Sequence, residues 1–308
     1  MIRDYNENHC WQYDIRVKNS AEDLILAGLT ADDVSNLKVT DFVFQHEDKD
    51  VCYKEVKAFI ERHEWLGRMS IYPTNIFTAR YKGILAGVVI MDLPTVFSHM
   101  LNGVDIELMN DDGTYTWSEN TQTRRIERLI SRGACISWSP KNLGSALVMF
   151  AVNWMVKNTR FRLFVAYSDV EAKELGTIYQ ACNFYYIGKK SGAKYQYKNS
   201  DGRWVSDRYF RSRSVYKRLA KAAGIVWQDN WQHETKKDTI LFENMPEDIA
   251  NRIKWLSKNY IQSCEKREMQ LKHKYVYVLG KDKRETKYLR KYFLEKNKVY
   301  PYPKERGN

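Results

Sequence analysis

Residues 162–188 read RLFVAYSDVEAKELGTIYQACNFYYIG, and this stretch decides the fold. Leu163, Phe164, Val165 and Ala166 form an apolar run of buried-strand length. Ser168 and Asp169 carry short side-chain oxygens that can accept a free backbone N–H, so they predict a helix start. Behind them come Ala172, Leu175, Ile178, Tyr179 and Cys182 at helical spacing, the last four on one face. Asn183 suits the left-handed residue that closes a helix, and residues 184–187 return as a strand. The reading is strand, helix, strand, with the Tyr179 phenol on the helix face turned to the strands.

Working outward, residues 75–93 predict a β-hairpin turning at Lys82-Gly83, ended by Pro94, which cannot donate to a ladder. Residues 41–45 suggest a strand and 50–62 an amphipathic helix. Residues 102–121 are polar and Gly-containing and read as a long loop. Residues 124–138 contain a strand. A helix follows over 142–157, with Leu143, Leu147, Phe150, Ala151 and Trp154 at helical spacing. The first 30 residues read as a lead-in with one short helix near 21–26. Past Gly188 the chain predicts a polar hairpin over 194–210, a basic helix over 211–223 and a helical region over 246–269. A YVYVL strand at 275–279 and a charged helix over 282–294 come last. The divisions expected are a lead-in (1–35), a core (36–190), a basic insertion (191–270) and a returning strand and helix (271–308).

The chain of 308 residues has a net charge of +12, unevenly spread. Residues 189–308 hold 30 Lys/Arg against 14 Asp/Glu, whereas residues 1–188 hold 20 against 24. A near-neutral front joined to a basic back points to a polyanionic partner, DNA above all, or else to a solvated basic surface. Arg208, Arg211, Arg213, Lys217, Arg218 and Lys221 cluster there beside Trp204 and Tyr209, a mixture suited to phosphate contact plus base stacking. The five cysteines are odd in number and scattered, without a C-x-x-C pair. That argues against a disulfide framework or a zinc site and for a reducing, cytoplasmic setting. The N-terminus lacks a basic-then-apolar leader, and no apolar run reaches the length of a membrane span. No His lies in a triad setting, and no His pair marks a metal.

Residues 75–188 thus order as hairpin, strand, helix, strand, helix, strand. This resembles the GNAT superfamily of N-acetyltransferases, with Ile178-Tyr179-Gln180-Ala181-Cys182-Asn183-Phe184 similar to the superfamily's "lY…GF" ending. Lys141-Asn142-Leu143-Gly144-Ser145-Ala146 is similar to its R/Q-x-x-G-x-G/A turn, with Lys in the first place. The run Tyr167-Ser168-Asp169 followed by Gly176-Thr177-Ile178-Tyr179-Gln180-Ala181 is more specific, and with the ISWSPKNLGS turn it resembles Mom-like phage DNA-modification proteins.

The resemblance implies an α/β fold, a mixed central sheet flanked by helices with a basic C-terminal elaboration. It implies a transferase adding an acyl or acetamido-type group to a nucleobase amine, adenine N6 foremost. Tyr179 is then a general acid or a core ring, Asp169 a proton acceptor and orienting group or a helix cap, and Ser145 an anion contact or a first-turn Ser. Trp138, Ser139, Lys141, Asn142, Gly144 and Ser145 would cradle acetyl-CoA or another anionic acyl donor at a helix N-terminus. The alternatives are an acyl-CoA-dependent N-acyltransferase acting on a protein or small amine, and a non-catalytic nucleic-acid-binding protein.

Overall fold

The computed structural model describes residues 9–70, 73–190, 195–235 and 239–304. The chain divides into two compact units, one of residues 1–190 with 272–308 and one of residues 191–271. In chain order the first unit holds α1 (Trp11–Ala27), α2 (Ala31–Ser35), β1 (Val43–Glu47), α3 (Lys49–His63), β2 (Pro73–Tyr81) and β3 (Ile84–Asp92). It continues with β4 (Val104–Met109), β5 (Tyr115–Thr121), β6 (Glu127–Cys135), α4 (Leu143–Asn158), β7 (Leu163–Ser168), α5 (Thr177–Ala181) and β8 (Tyr185–Lys190). The second unit contains β9 (Tyr195–Lys198), β10 (Trp204–Val205), α6 (Asp207–Phe210), α7 (Arg213–Ala222), α8 (Glu247–Ser263) and β11 (Lys266–Glu268). The chain then re-enters the first unit as β12 (Lys272–Val278) and α9 (Lys283–Lys296).

Seven strands form one sheet in the order β1-β2-β3-β6-β7-β12-β8. Its pairs are antiparallel except β6 with β7, which are parallel and joined through α4. The β2–β3 hairpin turns where expected, at Lys82 and Gly83, both with positive φ. Such a turn has the twist that two adjoining strands require. Phe150 and Trp154 of α4 pack on Phe77 of β2, and Val56, Phe59 and Ile60 of α3 belong to the same core. Leu289 and Phe293 of α9 cover Leu163, Val165, Val276 and Val278. No helix among the described residues is long and apolar enough to cross a membrane.

Four expectations change. The lead-in helix is α1, 17 residues long, closed by Gly28 in the left-handed conformation. It was hard to read because its apolar residues keep to no single buried face: Ile15 is buried, whereas Val17, Ile25 and Leu26 are exposed. The stretch 102–121 is no loop but the β4–β5 hairpin, in which Val104, Ile106 and Leu108 alternate inward behind polar neighbours. The helical pattern of 170–182 shrinks to the five-residue α5. Asp169 Oδ1 accepts from Glu171 N–H at 3.0 Å, and Lys173 and Gly176 have φ of 55° and 66°, so a turn replaces the first helical turns. The region 246–269 ends its helix at Ser263 and finishes as β11. Lys194, the expected start of the polar hairpin, lies outside the described residues.

The second unit has its own core, in which Tyr216 and Ala220 of α7 meet Ala250 and Ile253 of α8 beside Trp231 and Met245.

Candidate active site

The site begins with a slip in β6. Ile90 pairs with Arg132 but Met91 with Ile130, so Ser131 is an extra residue, a β-bulge. On its other side β6 follows β7 for only four pairs, from Glu127↔Leu163 to Ile130↔Ala166. Beyond Ile130 the two parallel strands part, and their carboxyl ends frame an opening of the kind where α/β sheets bind ligands.

Three segments bring polar side chains together near the end of β7. Asp169, just past β7, is 8% exposed. Its Oδ2 meets Lys272 Nζ at 2.7 Å, and its backbone N–H donates to Glu174 Oε2 at 3.1 Å. Lys272 opens β12, the strand paired with β7, so the pair joins residues far apart in the chain. Glu174 also bonds with Trp65, from the loop after α3. Burial, reinforced by the neighbouring Asp169 charge, pushes its carboxyl up to about 7 against the pull of Lys272. Neighbouring Glu64 lies 3.7 Å from Arg132 Nε beside the bulge.

Tyr179 completes the group. Its ring sits between Phe184 and Tyr275, at centroid distances of 5.4 and 5.5 Å. Burial first, then the Glu174 and Glu64 carboxylates, raise the phenol far above its ordinary range, so it keeps its proton. Gly176 permits this approach: a Cβ there would lie 2.8 Å from Tyr275 Cζ and 3.0 Å from Ser168 Oγ, on a left-handed backbone. The Tyr275 hydroxyl donates to Leu175 O, and Gln180 Nε2 donates to the same carbonyl at 2.8 Å.

The turn before α4 behaves differently from the expectation. Trp138 is buried, stacked on Phe42 at 6.3 Å and edge-on to Tyr81 at 5.9 Å, so it is a core ring. Ser139 is buried, its hydroxyl donating to Ile136 O at 2.8 Å. The missing Cβ of Gly144 makes room for Ile178 Cδ1, 2.8 Å from where it would stand. Ser145 Oγ donates to Asn142 O at 3.0 Å within its own helical turn. Lys141 and Asn142 are exposed, and no side chain caps α4. The turn is braced from behind by Arg16 of α1, which donates to Ser137 O at 3.0 Å and Ser139 O at 2.6 Å.

In the second unit the aromatic groups are occupied. Trp204 lies under Arg267 and Lys198, at 4.7 and 5.9 Å, and the Tyr209 hydroxyl accepts from Arg218 at 3.2 Å. Lys217 stands over Trp227. Arg211 precedes α7 and pairs with Asp207, so it lies outside the basic helix expected to begin there. Arg213 is half-buried as the first residue of α7, and Arg208, Arg218 and Lys221 are exposed.

The structure links Asp169 to Tyr179 through Glu174, and adds Glu64, Trp65, Arg132 and Lys272 to the group. Glu174 was hidden by the helical reading, which places it five residues from Tyr179 and off its face. The sign of it in the sequence was Gly176, the residue that breaks the helix.

The element order β2-β3-β6-α4-β7-α5-β8, with one parallel pair parting beside a helix N-terminus, gives a mixed α/β sheet flanked by helices that resembles the GNAT acetyltransferases. Within that class the chain belongs to the Mom protein family, whose sequence model matches residues 107–304 and so contains Asp169, Tyr179 and Lys272. Similar solved structures include an acetyltransferase of Salmonella typhimurium with acetyl-CoA as its cofactor, 12% identical with a TM-score of 0.33, covering 53% of this chain and 88% of that one. Another is an N-acetyltransferase of Staphylococcus aureus Mu50, 13% identical with a TM-score of 0.27, covering 66% and 92%. No curated protein matches the chain.

Proposed function

We propose that this protein is a DNA-modifying transferase that moves an acyl or acetamido-type group onto a nucleobase amine, adenine N6 foremost. The reading rests on one observation: Glu174 accepts the Asp169 backbone N–H and its charge acts on the Tyr179 phenol, all within the segment matched to the family. An exocyclic base amine is a poor nucleophile and must lose a proton as its bond to the transferred group forms. A carboxyl near 7 suits that acceptance, and a phenol that stays protonated suits donation to the leaving group. The amine proton passes to Glu174, Tyr179 protonates the departing atom, and proton return from Glu174 to Tyr179 resets the pair. Asp169, held by Lys272, orients the amine.

An anionic donor, acetyl-CoA or another acyl carrier, fits the start of α4, where Lys141, Asn142 and uncapped amides would hold it. Once bound it supplies the group to be moved. Duplex DNA would meet Arg208, Arg218 and Lys221 of the second unit, and the protein would work in the cytoplasm. The uncapped α4 also favours a second reading, an acyl-CoA-dependent N-acyltransferase acting on a protein or small amine.

The test is mass spectrometry of nucleosides from the DNA of cells expressing the protein. The expected result is a base heavier by the transferred group. Unmodified DNA, together with acetyl-CoA turnover on small amines or peptides, would overturn the proposal in favour of the second reading. A non-catalytic binding protein would show neither, and Tyr179→Phe would leave its DNA binding intact.

A further inference from the structure

A groove of about 1250 Å³ lies in the first unit between the C-terminal half of α4, the end of β12 and α9. It is far from the opening described above: α4 carries Gly144 beside α5 at one end and Lys157 in the groove at the other. Thirteen residues of helix span about 20 Å.

The groove is lined by cations. Arg290 donates to Val278 O at 3.0 Å and lies against Tyr277, Lys291 stands 3.8 Å from Glu295, and Lys281 pairs with Glu107. Lys157, Lys283 and Lys287 are exposed, and no carboxylate among the described residues pairs with them. Their placement is electrostatically poor for the protein alone. Lys283 and Lys287 are one turn apart on one helix, and like charges at that spacing repel. Lys283 is also the first residue of α9, at the positive end of its dipole. Asp282 accepts from Glu285 N–H in the first turn, and the exposed lysines beside it are cations left to meet a ligand. Cations spread over two helices, in a groove larger than a usual small-molecule cavity, fit a chain of phosphates better than a single one.

We propose that this groove holds the phosphate backbone of duplex DNA, a second point of attachment about 20 Å from the reacting base, or about six base pairs at 3.4 Å each. The proposal rests on the DNA reading above. It is tested by changing Lys157, Lys283 and Lys287 together to Gln in the full chain, with Lys287→Gln alone as the milder variant. Exposed Lys18, Lys49 and Lys54 changed to Gln serve as the control. Binding to duplex DNA is followed against salt. Removing one cation that neutralises a phosphate flattens the slope of log affinity against log salt by about 0.9. The slope of the triple variant should be shallower by between two and three, with affinity at least about tenfold weaker at 0.1 M salt, and that of the single variant shallower by about one. The control should bind as the parent does. A triple variant whose slope and affinity equal the parent's would overturn the groove while leaving the DNA reading standing. A parent chain without salt-dependent DNA binding would overturn both. Displacement from the groove lysines by an acidic peptide but not by DNA would overturn the choice of nucleic acid.

Discussion

Replacing Glu174 by Gln should make the protein more stable and less active, and the gain should depend on pH. The carboxyl has an ordinary value of 4.5 and is pushed up to about 7 in the fold, mainly by burial. Below pH 4.5 the group is protonated whether the chain is folded or not, and it has no pH-dependent effect. As the pH rises from 4.5 towards 7, the unfolded chain ionises while the folded one holds its proton, and stability is lost. Above pH 7 both are ionised and the loss is complete. At 1.36 kcal/mol per pH unit the difference amounts to about 3 kcal/mol. Gln is uncharged, and its carbonyl oxygen can still accept from Asp169 N–H. Its amide needs a new acceptor, which takes back about 1 kcal/mol. Urea unfolding of both proteins at pH 4.5, 6, 7 and 8.5 should give a small difference at the lowest pH and about 2 kcal/mol in favour of Gln at the highest. The yield of modified nucleoside should fall at least about 100-fold. Parallel pH profiles would refute the reasoning, because they would mean the carboxylate is solvated.

Three other substitutions probe the same architecture. Gly176→Ala puts a Cβ against Tyr275 and Ser168 on a left-handed backbone, and should cost about 2–4 kcal/mol in chemical unfolding; a cost below about 1 kcal/mol would contradict the close approach. Tyr179→Phe keeps the ring between Phe184 and Tyr275, so unfolding should change by no more than about 1 kcal/mol while nucleoside modification falls at least about 100-fold; unchanged modification would remove the phenol from the mechanism. His63 is pulled down to about 4, chiefly by burial and also by Arg62, against the opposing charge of Asp23. Its stabilising contribution, present above about 6.5, should therefore disappear as the pH falls towards 4, by about 3 kcal/mol. His63→Gln should flatten that part of a melting-temperature profile.

The elements legible in the sequence were those whose burial follows one period. The β2–β3 hairpin has its turn residues at the right place, and α4 and α9 have apolar faces at helical spacing. The β12 strand was readable from YVYVL, and so was its return to the core. What escaped depends on partners distant in the chain. Nothing in Ser131-Arg132-Gly133 announces that Ser131 is the unpaired residue, because the slip exists only against β3. The α1 helix is tied down by polar contacts from Arg16 and Asp23 rather than by an apolar stripe. Asp169 and Tyr179 could be named from a motif, but Glu174 could be seen to face them only after Gly176 was known to break the helix. At the turn before α4 the residue types were right for an anion, yet packing claims Trp138, Ser139 and Gly144.

The position of β12 bears on how the protein comes into being. It lies between β7 and β8, strands that are close in sequence, and it is made after the whole of residues 191–271. Until then β7 and β8 each present a bare edge with no correct neighbour, and they are free to pair wrongly with each other. Lys272 arrives 103 residues after Asp169, the carboxylate it holds. A chain stopped at residue 271 would thus possess Asp169, Glu174 and Tyr179 and still lack a finished site. On the ribosome, the Asp169–Lys272 pair would be among the last contacts this chain makes.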